Sequence, residues 1–237
     1  MADIFRRVEK KYILSKAQFV ELKKLMKERM IEDEYGVSTI CNVYFDSSLY
    51  ELISHSITKP FFKEKIRLRS YNVPKKDSSV FLEIKRKCDS VVSKRRIEMK
   101  LSEFELYIKD KDSLESSNKQ IKKELDYYFD KYDLHPTMYL SYLREAYYDP
   151  NDRDFRVTFD SNVIAREHDL KLDSLNYGTN ILPRDKYIME IKTLGSIPLW
   201  FVKMINELGI MPCGFSKYGE GYTQLILGAN TCEECVI

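Results

Sequence analysis

Short stretches of the chain alternate charged and apolar residues. In KIRLRSY, Lys65, Arg67 and Arg69 share one parity, while Ile66 and Leu68 share the other. Successive side chains of a β-strand point to opposite faces, so the pattern predicts a strand with one cationic face and one apolar face. Further stretches, most of them with the same alternation, bring the predicted strands to about eight. These stretches are residues 6–14, 39–46, 80–87, 93–99, 139–148, 155–161 and 187–193.

Helix-start signals separate these strands. Ser15, Ser102 and Ser117 are each followed three residues later by Gln or Glu, which is the capping-box pattern. A fourth helix is predicted over residues 197–208, with Gly209 at the position of a C-terminal cap. The spacing of apolar residues gives each helix one apolar side. We therefore expect the helices to cover the apolar faces of the strands.

The order of strands and helices predicts a mostly antiparallel α+β fold. About eight strands are enough to close a small barrel, and helices outside it would cover the apolar parity. The charged parity would then line the interior. We expect an eight-stranded antiparallel β-barrel with flanking helices, in one domain that spans residues 1–237. The alternative is an open sheet whose charged face is solvated.

Positive charge is concentrated in the middle of the chain. The net charge is only +2, from 39 basic and 37 acidic residues, but residues 59–100 hold 14 Lys and Arg against 5 Asp and Glu. A barrel interior lined by cations cannot be dry and empty, because each unpaired buried ion is costly. It must hold water, fixed carboxylates or a bound polyanion. Arg supplies planar donor forks that suit phosphate oxygens, and Lys adds point charge.

A minority of carboxylates shares the charged parity, namely Glu9, Glu83, Asp160 and Glu190. Two interpretations remain open for them. They pair with neighbouring cations, or they supply oxygen ligands for Mg²⁺ or Mn²⁺, which bind few protein carboxylates and share substrate phosphate oxygens. The sequence contains no G-x-x-x-x-G-K-[ST] motif and no G-x-G-x-x-G that opens a helix. Any phosphate must therefore be bound by side chains.

Cysteine content and hydropathy bear on the compartment. No stretch approaches the roughly 20 apolar residues that span a bilayer, and the N-terminal residues lack the apolar run of a signal peptide. Five cysteines, an odd number, indicate reduced thiols. Cys232 and Cys235 form a C-x-x-C pair without a second pair at zinc-finger spacing, so its role stays open. We expect a soluble cytoplasmic protein without a membrane segment.

Eight short motifs follow one another along the chain. They are R-x-E-x-K-Y (7–12), K-x-R-x-R (65–69), E-x-K (83–85), K-R-R (94–96), Y-L-R (142–144), R-V-T-F-D (156–160), M-E-I-K (189–192) and F-S-K-Y (215–218). Together they resemble the VTC domain, the polyphosphate polymerase branch of the triphosphate tunnel metalloenzymes, a superfamily that also contains the CYTH phosphatases and cyclases. The resemblance covers about residues 4–227 and leaves 228–237 as a C-terminal tail.

The resemblance implies an eight-stranded tunnel lined by basic residues. In it, a Glu-bound Mn²⁺ or Mg²⁺ would assist transfer of the γ-phosphate of ATP to a growing polyphosphate chain. By position, it implies catalytic roles for Lys11, Arg67, Arg69, Lys85, Arg144, Arg156 and Lys192. It implies substrate binding by Lys94, Arg96, Tyr142, Ser216 and Lys217. It implies metal binding by Glu190 as the chief ligand, with Glu9 and Glu83.

One departure concerns the first strand. CYTH proteins have a pattern similar to E-x-E-x-K in this strand, whereas this chain has Arg7 in place of the first Glu. This favours the VTC branch and reduces the number of metal carboxylates. The expected partners are a nucleoside triphosphate and inorganic polyphosphate or tripolyphosphate. Nucleic acid is not expected, because most aromatic residues lie on the apolar parity, where they would pack.

Three functions remain in competition. The favoured one is a polyphosphate polymerase. The second is a tripolyphosphatase or nucleoside triphosphatase, in which water accepts the phosphoryl group in the same tunnel. The third is a noncatalytic domain that binds polyphosphate or another polyanion. The first two would share nearly every side chain.

Overall fold

The computed structural model describes residues 8–89, 91–114 and 118–228, which contain one large antiparallel sheet. Its strands are β1 (Val8–Ser15), β2 (Ile31–Glu32), β3 (Ser38–Asp46), β4 (Phe62–Tyr71), β5 (Ser79–Cys88), β6 (Val91–Lys100), β7 (His135–Tyr148), β8 (Arg156–Arg166), β9 (Thr179–Asn180) and β10 (Lys186–Thr193). All eight predicted strands are confirmed. The alternation did not predict the two-residue strands β2 and β9.

The sheet is open, so the predicted closed barrel is not confirmed. The strand order is β1-β10-β8-β7-β3-β4-β5-β6, while β2 pairs with β7 and β9 with β8. Among the described residues no pairing joins the end strands β1 and β6. The outer edge of β1 is instead bonded to a later segment: the Cys213 amide donates to the Lys11 carbonyl at 2.8 Å, and Tyr12 forms a bridge with Pro212. The fold is therefore α+β with a large antiparallel sheet that is not closed.

Six α-helices accompany the sheet in the described part of the chain. They are α1 (Lys16–Met26), α2 (Glu51–Ile57), α3 (Leu101–Lys109), α4 (Lys119–Tyr132), α5 (Leu199–Glu207) and α6 (Lys217–Gly221). A 3₁₀ turn (Lys111–Ser113) follows α3, and a π-helical turn (Tyr222–Ile226) follows α6. Neither α2 nor α6 was predicted from the sequence. None of the described helices has the length and apolar character needed to span a bilayer.

The predicted helix caps are correct in part. Ser15 and Gln18 form the predicted capping box of α1. The cap predicted at Ser102 is wrong, because the N-cap of α3 is Lys100, two residues earlier, and the Glu103 carboxylate accepts a hydrogen bond from the Lys100 amide at 2.7 Å. Ser117, together with Arg7, Cys232 and Cys235, lies outside the described residues. Asn118 is the observed N-cap of α4.

Helices cover the apolar parity of the sheet as expected. At one end of the strand order, the apolar sides of α1 and α5 pack on β1, β8 and β10, for example through Phe19 and Phe201. At the other end, α3 and α4 pack on β4, β5 and β6, for example through Phe104 and Leu125. Most buried apolar residues of these strands therefore face the helices, and the charged parity faces the opposite way.

Helix α6 packs on the charged side of the sheet instead. Tyr218 stacks on Tyr44 of β3 with ring centroids 4.2 Å apart, and Tyr222 belongs to the same buried cluster as Met138 of β7. A Cβ atom at Gly221 would lie only 2.6 Å from the Met138 sulfur, so the helix approaches β7 this closely because residue 221 is glycine. This packing brings Ser216 and Lys217 up to the charged side chains.

Candidate functional site

The β4–β5–β6 half of the sheet carries a block of cations on one face. Lys65 lies opposite Lys85, and Lys85 lies opposite Lys94 on the next strand. Directly opposed side chains of antiparallel strands share a face, and like charges in this arrangement repel. Two residues further along β4, Arg67 lies opposite Glu83 of β5, and Arg69 follows on the same face of β4. With Glu83 and Glu98 as its carboxylates, the block contains more positive charge than they can neutralise.

The β7–β8–β10–β1 half carries a second block, in which cations and carboxylates alternate. Arg144 lies opposite Asp160, Glu190 opposite Lys11, and Lys192 opposite both Glu9 and Arg156. We call the two blocks, with Lys217 of α6, the cationic face. Its cations are Lys11, Lys65, Arg67, Arg69, Lys85, Lys94, Arg144, Lys192 and Lys217.

Curvature of the sheet brings the two blocks into contact. The Lys85 ammonium lies 3.3 Å from the Glu9 carboxylate, although β5 and β1 are far apart in the strand order. Segment 215–217 bridges the same gap, because Lys65 donates to Ser216 Oγ at 2.7 Å and Lys11 donates to the Phe215 carbonyl at 2.9 Å. The cationic face is therefore concave, and side chains from both blocks face one space.

Two buried carboxylates neutralise part of this charge. Glu83 is 1% exposed and lies 2.7 Å from Arg67 and 2.5 Å from Lys94. Burial by itself would raise the pKa of Glu83, but the positive charges of Arg67, Arg69 and Lys94 outweigh burial and lower it to about 2. Glu83 is therefore an ionised carboxylate that holds the cations in place.

Asp160 neutralises two cations of the second block in the same way. Its two oxygens accept the fork of Arg144 at 2.6 and 2.7 Å, and Lys217 donates to it at 2.5 Å. Burial opposes ionisation of Asp160, but Arg144 and Lys217 lower its pKa far below the usual range. Asp160 thus ties α6 to β7 and β8 through an ion triad.

Lys65 and Lys11 have no carboxylate within salt-bridge distance among the described residues. Burial, together with Lys11, Lys63 and Lys85, lowers the pKa of the Lys65 ammonium to about 7. Burial also lowers the pKa of Lys11 to about 8, although Glu190 opposes the shift. A lysine whose charge is this costly gains from any anion placed beside it. The centre of the cationic face therefore favours an anion.

Polar side chains fix the arginines. Tyr44 accepts a hydrogen bond from Arg67 at 3.2 Å, and Asn42 accepts one from Arg69 at 2.9 Å. Tyr142 accepts a second bond from Arg69 at 3.2 Å. Burial would raise the pKa of the Tyr142 phenol, but Arg144 and Arg69 outweigh it and lower the pKa to about 8. A phenol this acidic is a strong hydrogen-bond donor to an anion.

The site contains residues that the sequence-based assignment omitted. Lys65 lies at its centre but was not among the assigned residues, and Asn42 and Tyr44 were unassigned. Tyr218 is also part of the supporting network, because it donates to the buried Asp46 carboxylate at 3.0 Å. The K-x-R-x-R stretch already contained Lys65. Asn42, Tyr44 and Tyr218 could not be assigned to the site from the sequence, because a single Asn or Tyr at such a position has many common roles.

Two predicted site residues lie at the rim. Arg156 is 45% exposed, and its one ion-pair partner in the described part of the chain is the distant Asp33, at 3.7 Å. Arg96 is exposed and lies over the Phe81 ring, 4.6 Å from the guanidinium carbon to the centroid. The other assigned cations, with Tyr142 and Ser216, lie on or beside the concave surface. Their assigned roles stay predictions.

The three assigned metal ligands do not form one cluster. No group of three or more His, Cys, Asp or Glu that could hold a metal ion occurs in residues 8–89, 91–114 and 118–228. Glu83 is held by cations, whereas Glu190 and Glu9 are diagonal neighbours on β10 and β1. Burial would raise the pKa of Glu190, but Lys192 and Lys11 lower it to about 2, so its carboxylate is ionised.

Comparisons with known proteins bear on the family of the chain and on its fold. The family model of the VTC domain matches residues 6–226. A candidate adenylate cyclase from Bacillus halodurans has a similar structure, with a TM-score of 0.56, 14% identity, and coverage of 89% of this chain and 93% of that chain. A protein from Pyrococcus horikoshii matches with a TM-score of 0.47, 16% identity, and coverage of 94% and 98%. No curated protein matches in sequence. At such identity the first structure shows a shared fold and nothing further.

Proposed function

The chain belongs to the VTC domain family, and we propose that it is a polyphosphate polymerase that transfers the γ-phosphate of ATP to a polyphosphate chain held on the cationic face. The observation that carries the proposal is the convergence of Lys11, Lys65, Lys85 and Lys217 on one concave space, where the described carboxylates leave part of their charge unpaired. A linear polyanion supplies the missing negative charge at several points at once. In this proposal the concave face of the open sheet holds the polyphosphate chain, as the tunnel does in the family.

Phosphoryl transfer suits a site of this kind. The reaction needs the donor phosphate and the acceptor oxygen in line, and it needs the charge of the transferred group stabilised. Arg69 and Lys65 donate hydrogen bonds to neutral partners, and the nearest carboxylate of Arg69, Glu83, is 4.0 Å away, so their remaining donor sites can bind phosphate oxygens. Each charge-assisted hydrogen bond to phosphate contributes about 1.5–3 kcal/mol. Positioned cations can therefore support the reaction without a covalent enzyme intermediate.

The residues fit a divalent metal shared with substrate. Glu190 is buried and ionised, its nearest cation, Lys192, is 3.4 Å away, and Glu9 lies diagonally beside it. Mg²⁺ and Mn²⁺ bind through one or two carboxylates and take their other oxygens from phosphates and water. In this proposal Glu190, with Glu9, would hold Mn²⁺ or Mg²⁺, which would neutralise phosphate charge when bound. Glu83 is unsuited, since Arg67 and Lys94 already surround it.

The proposal is tested by product analysis with γ-labelled ATP and Mn²⁺. A polymerase converts the label into chains that migrate as inorganic polyphosphate and are degraded by an exopolyphosphatase. Label that appears only as orthophosphate would overturn polymerisation in favour of hydrolysis. Intact ATP that remains bound to the protein would overturn both activities in favour of a noncatalytic polyanion-binding domain.

Tripolyphosphate is expected to stabilise the fold. Because an anion relieves the repulsion among the lysines, ligand at one hundred times its dissociation constant should add about 2.7 kcal/mol to the free energy of unfolding. The check is a thermal melt with and without tripolyphosphate, at constant ionic strength. Orthophosphate at equal phosphorus concentration is the control and should give a smaller shift. An unchanged melting temperature at millimolar tripolyphosphate would contradict an assembled phosphate site.

Anion affinity is expected to fall between pH 7 and pH 9. The free protein loses the Lys65 proton as the pH rises through about 7, whereas a bound phosphate raises the pKa of that ammonium. Binding then requires proton uptake, which weakens affinity by up to about tenfold per pH unit for one lysine. Calorimetry with tripolyphosphate in buffers of different ionisation enthalpy measures this uptake.

Lys65→Arg is the matched variant for this pH dependence. Arg stays charged to high pH, so the variant should bind tripolyphosphate with a flatter pH profile. A wild-type affinity that is constant from pH 7 to pH 9, without proton uptake, would contradict the role of Lys65.

A further inference from the structure

Aromatic and guanidinium groups lie together at one end of the cationic face. Most aromatic residues of the strands lie on the apolar parity, but Tyr71 and Phe81 lie on the charged parity of β4 and β5. Phe81 is directly opposite Arg69, and Tyr71 is two residues beyond Arg69 on the same strand. This end is therefore continuous with the residues that we propose to bind phosphate.

The side chains of Tyr71, Phe81 and Arg96 form a small open platform. The rings of Tyr71 and Phe81 are 5.9 Å apart and nearly perpendicular, at 83°. The Arg96 guanidinium lies over the Phe81 ring at 4.6 Å, and no ion pair holds it among the described residues. Phe81 is buried, but Tyr71 is 54% exposed. The platform thus presents a half-exposed phenol ring, and a guanidinium without an ion pair in the described part of the chain, next to Arg69.

The opposite end of the same strands has different chemistry. There Lys63 lies opposite Lys87 and Lys65 opposite Lys85, so like charges face each other on two rows. Such rows suit a chain of phosphates, which carries charge along its whole length. A nucleoside has an uncharged base with a π-face, which such rows would not recognise. The two ends of β4 and β5 therefore fit different parts of one substrate.

We propose that the platform of Tyr71, Phe81 and Arg96 binds the base of the nucleoside triphosphate, while its phosphates extend along the cationic face from Arg69 toward Lys65. The inference rests on the proposed function, because it assigns the donor nucleotide a place on the same surface. Bases stack on tyrosine rings and on guanidinium planes without strong base preference. The site therefore takes nucleoside triphosphates as a class, with specificity for a nucleotide over a bare polyphosphate.

The test compares ATP with inorganic tripolyphosphate by calorimetry on wild type, Tyr71→Ala, Tyr71→Phe and Tyr127→Ala. Tyr71→Ala should weaken ATP binding about tenfold and leave tripolyphosphate binding unchanged, while Tyr71→Phe keeps the affinity for both. Tyr127, 57% exposed on the outer helix α4, is the matched control, and its variant should bind both ligands like wild type.

Each outcome separates the two proposals. If wild type binds both ligands but Tyr71→Ala keeps its ATP affinity, or loses both affinities equally, the base site is overturned and the proposed function stands. If wild type binds neither ligand, the proposed function is overturned and this inference with it. A loss of ATP affinity in Tyr127→Ala as large as in Tyr71→Ala would also overturn the base site.

Discussion

Glu190→Gln is expected to reduce phosphoryl transfer by about 100-fold or more, while tripolyphosphate binds nearly as tightly as to wild type. A neutral amide cannot hold a divalent cation as a carboxylate does, and it cannot balance Lys192 and Lys11. The cations that bind the anion remain, so affinity should be spared. The measurement is polymer formation from labelled ATP with Mn²⁺, together with calorimetry of tripolyphosphate binding.

Glu145→Gln is the matched control for this variant. Glu145 also pairs with a lysine, Lys23, and accepts a hydrogen bond from Tyr147. It lies on the face of β7 that points away from the cationic face. Its amide variant should retain normal turnover. If Glu190→Gln turned over as fast as wild type, Glu190 would have no role in metal-assisted transfer. An equal loss in both variants would point to a general effect of lost ion pairs.

Asp160→Asn is expected to lower the free energy of unfolding by about 3–5 kcal/mol, because it leaves two cations buried without their counter-charge. Arg144 and Lys217 both depend on this carboxylate, and Lys217 also anchors α6. Urea unfolding at neutral pH measures the loss. Saturating tripolyphosphate should recover part of it, since bound phosphate can replace the missing negative charge.

Asp130→Asn serves as the control for the Asp160 variant. Asp130 is 72% exposed and pairs with Lys111, and exposed pairs contribute only about 0–1 kcal/mol. Its loss should be close to undetectable in the same unfolding experiment. A similarly small effect at Asp160 would show that the ion triad contributes little to the fold.

Strand positions were predictable because alternation is a local signal. Most of the eight strands show it within their own residues, and the structure confirms all eight. Helix α2 was missed because its start signal is not local. Its N-cap is Tyr50, without a capping side chain, and the Asp46 carboxylate on β3 accepts from the Leu52 and Ile53 amides instead. A carboxylate that caps an amide six residues further along the chain does not belong to a known local sequence motif.

Sheet closure and the centre of the site depend on contacts between distant segments. Pro212 and Cys213 occupy the edge of β1 that a barrel would have paired with β6, and no pattern in β1 indicates this. The alternation placed Arg67 and Arg69 on the charged parity of β4, where they lie, and the resemblance assigned a substrate-binding role to Lys217, which lies on α6. It could not show that Ser216 would contact Lys65, since the two residues are 151 positions apart.

The opposed lysines of β4 and β5 also limit how robust this protein can become. Lys65 facing Lys85 lowers the stability of the ligand-free sheet, and neutral or acidic replacements at either position would relieve it. Such replacements would remove the charge that attracts the polyanion. Evolution toward heat resistance at these positions would therefore conflict with activity, and thermostable relatives should gain their stability elsewhere in the fold.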